Sequence, residues 1–81
     1  MTEAVSTQMF INAQLNEGRT IHLVTALKTI SVSPRTAASF KKKGLALFKI
    51  DAEGNLRIAS GKNYNIIATP SNCLVNIKVI V

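Results

Sequence analysis

The stretch RTIHLVTALKTISV, residues 19–32, admits two readings, and the choice between them decides the architecture of the 81-residue chain. Ile21 and Leu23 alternate with His22 as in a half-buried strand, but Leu23, Leu27 and Ile30, or Ile21 and Val24, also fall on one helical stripe that Thr20 would cap. If residues 20–28 are helical and 29–32 a short connection, a helix-turn-helix results. If they are a strand, they pair around Asn16-Glu17-Gly18 with QMFINAQL, residues 8–15, where Met9, Ile11, Ala13 and Leu15 alternate. That segment is itself ambiguous, because Ile11 and Leu15 share a helical face. The helical reading is preferred here. It predicts an α+β fold with a basic helix-turn-helix-like segment followed by two antiparallel β-hairpins. The alternative is a mostly antiparallel β-sheet crossed by one helix at residues 34–43.

Downstream the punctuation is clearer. In SPRTAASFKKKG, residues 33–44, Ser33 can accept a hydrogen bond from the first-turn amides, and Pro34 suits the first helical position, where its missing N–H has no partner to lose. Gly44 supplies a left-handed stop, and Lys41, Lys42 and Lys43 lie at the carbonyl end of the helix dipole. Ala37 and Phe40 share a packing face, whereas Arg35, Ser39 and Lys42 follow the spacing of the opposite one. LALFKI and LRIAS then flank Asp51-Ala52-Glu53-Gly54-Asn55, a loop of hairpin length. Turns are expected at residues 61–63 and 69–72, with YNIIA and CLVNIKVIV as a second strand pair. In the last strand Cys73, Val75, Ile77, Val79 and Val81 share the face that should meet the core. An uncovered apolar end strand also makes a homodimer through it an expectation.

Charge is the strongest global signal. Ten Lys and Arg oppose four Asp and Glu, for a formal net charge of +6, and no acid falls between Gly18 and Ile50 while Arg19, Lys28, Arg35, Lys41, Lys42, Lys43 and Lys49 do. Such a field draws polyanions. Residues 1–7 are polar and small and expected to fray, leaving 8–81 as one small domain. The single Cys73 allows no internal disulfide, and no stretch has signal-peptide or membrane-span length, so a cytoplasmic protein without membrane contact is expected.

Catalysis and metal binding find little support. One His and one Cys cannot complete a zinc site, and Asp51 and Glu53 on a hairpin tip lack the enclosure that tunes acids and bases, so no enzyme, cofactor or metal is expected. Polyanion binding remains. Arg35, Thr36, Ser39, Lys41, Lys42 and Lys43 are the candidate contacts on the helix, and Lys49, Arg57 and Lys62 on the hairpin would act as a wing. Tyr64, beside Lys62 and Asn63, is the one candidate for stacking on a base, although the preferred reading is a ring that packs and exposes its hydroxyl.

Across residues 20–60, VSPRTAASFKKKG followed by LALFKIDAEGNLRIA resembles the Cro-type repressors of bacteriophages and, more broadly, winged helix-turn-helix regulators. That resemblance implies a turn near Val32, a recognition helix from Pro34 and a strand pair after Gly44. The expected function is a small basic nucleic-acid-binding protein, with DNA preferred over RNA, acting as a transcriptional regulator or accessory factor. The competing expectation is a protein-interaction module or inhibitor that docks a basic face or an edge strand on a partner protein.

Overall fold

The structure is a computed structural model and describes residues 2–81; Met1, where the segment expected to fray begins, lies outside the described residues. Helix α1 spans Glu3–Asn16, so most of that polar N-terminal segment is helical. Thr2 caps it by accepting from the Val5 amide at 3.3 Å, and Glu3 sits in its first turn, where the helix dipole favours an anion. Ala4, Thr7, Ile11 and Leu15 line its buried side at helical spacing, which resolves the ambiguity of residues 8–15. Gly18, at φ +82°, ends it: the Arg19 amide reaches back to the Gln14 carbonyl and the Gly18 amide to Leu15.

Residues 19–32 form a β-hairpin, not the helix preferred from sequence. Strands β1, Thr20–Val24, and β2, Thr29–Val32, are antiparallel, with Ile21 opposite Val32 and Leu23 opposite Ile30. The turn between them explains the outcome. The Thr25 hydroxyl donates to the Lys28 carbonyl and accepts from the Leu27 and Lys28 amides, while the Thr25 amide also reaches Lys28. A threonine closing the backbone on itself competes with helix formation. Leu27, which the helical stripe would have buried, is left 96 % exposed at the tip.

Helix α2, Pro34–Lys42, follows as expected, with Ser33 accepting from the Thr36 amide at 3.1 Å. It ends by the same device as α1: Gly44 is at φ +72°, and the Gly44 and Leu45 amides return to Lys41 and Phe40. Replacing Ser33 by Ala should cost about 1 kcal/mol, read as a lower urea midpoint at unchanged slope. No change in midpoint would show that the cap contributes nothing.

Strand β3, Phe48–Ile50, pairs with β4, Leu56–Ser60, across the expected loop, and β4 pairs with β5, Asn63–Ala68. The last strand, β6, Asn76–Ile80, departs from expectation. It does not form a hairpin with β5; it crosses to the other sheet and pairs with β1. The two antiparallel sheets are therefore ordered β2-β1-β6 and β3-β4-β5. After the turn closed by Thr69 and Asn72, β5 retains only a bridge from Ala68 to Cys73 and a bond from the Leu74 amide to Ile67. The physical reason lies in β1: its Ile21 and Leu23 stand beside Val79 and Ile77, so the crossover completes a three-strand apolar face.

Helix α1 packs against β1, β4, β5 and α2, and thereby closes the core between the sheets. Ile11, Ile21, Leu23, Val32, Leu56, Ile58 and Ile67 are fully enclosed. The alternation expected for the last strand holds for Val75, which is buried, and for Cys73, Ile77 and Val79, which pack against the core; Val81 is exposed. Phe48 also packs there, whereas Phe40 is half-buried outside the core cluster.

Candidate nucleic-acid interface

Helix α2 lies on the surface. Ala37 packs inward and none of its residues is fully buried. With Ala37 inward, helical geometry turns Arg35 and Lys42 outward and sets Lys41, four residues on from Ala37, on the flank toward it; all three are exposed, as is Lys43 at the C-cap. Arg35 and Lys42 are seven residues apart, which places them ~10 Å along the axis, about three base-pair steps of a duplex. Ser39 is half-buried. Thr36 is half-buried too, and its hydroxyl sits 3.1 Å from that of Ser33, which makes it part of the helix cap.

The candidates on the second sheet are held differently. Arg57 donates through Nε to Asp51 Oδ2 at 3.0 Å and through an Nη to the Tyr64 carbonyl at 3.2 Å, so its guanidinium braces the hairpin. Lys49, its cross-strand neighbour, is exposed and sets its ammonium 4.0 Å from the centre of the Tyr64 ring. Tyr64 in turn donates its hydroxyl to the Ala46 carbonyl at 2.6 Å. A ring covered on one face by a lysine and tied by its hydroxyl agrees with the packing reading of Tyr64 rather than with stacking on a base. Lys62 stands exposed in the turn between β4 and β5.

Ion pairing separates the cations into two classes. Arg19 pairs with Glu17 and Arg57 with Asp51; among the described residues no carboxylate lies within ion-pair reach of Lys28, Arg35, Lys41, Lys42, Lys43, Lys49, Lys62 or Lys78. The positive charge is thus concentrated in residues that the fold leaves unneutralised.

Asp51 organises the hairpin end. Its Oδ1 accepts from the amides of Glu53 and Asn55 at 3.0 and 2.9 Å, and Oδ2 from the Asn55 side chain and Arg57. The carboxyl is lowered from 3.8 to about 2, chiefly by the Asn55 amide, with partial burial opposing and the Arg57 and Asn55 side chains adding to the lowering. A depressed carboxyl stabilises the fold above its ordinary value and loses that contribution as pH falls through the folded one. Asp51→Ala should therefore lower the thermal midpoint at neutral pH, and its gap from wild type should close as pH falls from 3.8 to about 2. A gap of constant size would sink this assignment.

Among the described residues no three His, Cys, Asp or Glu side chains gather as metal ligands would, and no helix is long and apolar enough to cross a membrane. Sequence reasoning left three cations, Arg19, Lys28 and Lys78, out of the candidate contacts. Lys28, at the tip of the β1–β2 hairpin, places its ammonium 3.4 Å from the Ser60 hydroxyl at the end of β4. Comparison with family models, characterised proteins and solved structures returns no match to this chain.

Proposed function

We propose that this is a small nucleic-acid-binding protein that meets DNA with the outward face of α2, in the manner of a regulator or accessory factor. One observation supports it above the others: Arg35, Lys41 and Lys42 on one short helix and Lys43 at its C-cap are all exposed, with no carboxylate partner among the described residues. Unneutralised cations on a rigid rod can release counterions from phosphates without first breaking internal ion pairs. Arg35 alone on this helix carries the forked donor suited to a base edge, so the interface is dominated by backbone contacts. The helix expected to precede α2 is a strand pair, so this reading rests on the surface of α2 and not on a helix-turn-helix.

The test is fluorescence anisotropy with a generic labelled duplex across a salt series. Binding that weakens steeply with salt supports the reading, and no binding at low salt ends it.

A second reading, a protein-interaction module, draws on different features. The outer side of α1 exposes Val5, Met9 and Phe10, and β6 is an edge strand whose far side is open to another strand, including that of a second copy. Recovery of one stoichiometric protein partner, or a dimer broken by a proline in β6, would favour it.

A further inference from the structure

We propose that the cationic surface does not stop at α2 but runs on along one end of the second sheet to Lys28 and Lys62, and that it fits the backbone of a duplex rather than the bases of a single strand. This rests on the nucleic-acid reading above and deepens it.

Four contacts trace the path. Past Lys43 the chain turns at Gly44, and the segment that follows is tied to the sheet by the bond from Tyr64 to Ala46 and by the Ala59 amide donating to Leu47 at 2.9 Å. Lys49 lies over that tyrosine. Ser60, next after Ala59, leads into the turn that carries Lys62, and its hydroxyl receives the Lys28 ammonium from the other sheet. Residues 43, 62 and 28, scattered in sequence, thus gather at one end of the second sheet, while Lys49, opposite Arg57, stands nearer its other end and reaches back only through its side chain.

The acids are kept away from this end. Strand β4 runs from the Asp51–Asn55 loop to the Lys62 turn, and five strand residues span ~16 Å, so Asp51 and Glu53 sit at the end of the sheet opposite Lys62, the end at which Lys49 lies. Glu3 belongs to α1, and Glu17 follows it, paired with Arg19. Lys28, Lys43 and Lys62, with no carboxylate in ion-pair reach among the described residues, form a track for phosphates.

The choice of duplex follows from the aromatic residues. Single-strand binders need exposed rings beside their cations. Here Tyr64 is capped by Lys49, Phe48 packs on the core and Phe40 is half-buried. Phe10 is exposed, but α1 contains no lysine or arginine. A molecule with a longest dimension of 29 Å covers at most about nine base pairs at ~3.4 Å each.

The experiment compares wild type, K28A/K62A, K28R/K62R and K41A/K42A/K43A by anisotropy, against a labelled duplex and the single strand of the same sequence, with circular dichroism confirming the fold of each. The expected result is tighter binding of the duplex than of the single strand. K28A/K62A should lose roughly tenfold to sixtyfold on the duplex at about 0.1 M salt, with a log–log salt slope shallower by about 1.8, and the arginine pair should restore both. If K28A/K62A binds like wild type while K41A/K42A/K43A does not, the track ends at α2 and this proposal fails alone. Equal or tighter binding of the single strand overturns the duplex assignment. Absence of any binding by wild type removes the underlying reading as well.

Discussion

The K41A/K42A/K43A protein should bind a generic duplex roughly sixtyfold to five-hundredfold more weakly than wild type at about 0.1 M salt, since each phosphate left without its lysine removes about 0.9 from the salt slope and hence about 0.9 log unit at a tenth of molar salt. The lower figure corresponds to two such phosphates and the upper to three. All three side chains are exposed and pair with no carboxylate among the described residues, so their removal breaks no ion pair there. Alanine is the strongest helix former, and the loss of cations at the carbonyl end weakens the helix by only about 0.3–1 kcal/mol per charge. Circular dichroism should therefore be unchanged while affinity falls. An affinity within twofold of wild type would show that the C-terminal turn of α2 does not touch phosphate.

Leu23→Ala should cost about 2–5 kcal/mol, against a total stability on the order of 4–12 kcal/mol for a domain of this length. Leu23 is fully buried at the centre of the first sheet, between Ile30 on β2 and Ile77 on β6. Its loss leaves a cavity that three strands can close only in part. Leu27→Ala, four residues on, should change stability by less than about 0.5 kcal/mol because Leu27 is 96 % exposed on the turn. The pair discriminates between the folds open to residues 19–32. A helical stripe would bury both leucines and make both substitutions destabilising, whereas a hairpin separates them. Urea unfolding of the two variants is the measurement, and equal losses would contradict the hairpin.

The parts of this structure that rest on local chemistry were legible in the sequence. Ser33-Pro34 and Gly44 bound α2, and the Asp51–Asn55 loop joins β3 to β4, because a cap, a proline and a positive-φ glycine act within a few residues. Residues 19–32 were not legible from periodicity, since Ile21, Leu23 and Ile30 satisfy a helix and a hairpin alike. The deciding groups are the Thr25 hydroxyl, a local signal that was available, and β6, a partner more than fifty residues away that was not. The same division holds at the interface. Lys41, Lys42 and Lys43 announce themselves as a run. Arg57 could have been assigned to Asp51 from the hairpin register, which brings residues flanking one loop together. Lys28 joins the lysines of the second sheet only because two hairpins from different sheets end side by side.

The most direct test of the central claim, that the unneutralised lysine surface faces phosphate, is to add unlabelled duplex to nitrogen-15-labelled protein and follow the backbone amides by NMR. Shifts confined to α2, the segment through Lys49, the Lys62 turn and Lys28 are the expected outcome. Shifts centred instead on Val5, Met9 and Phe10 of α1, or on the open edge of β6, would contradict it.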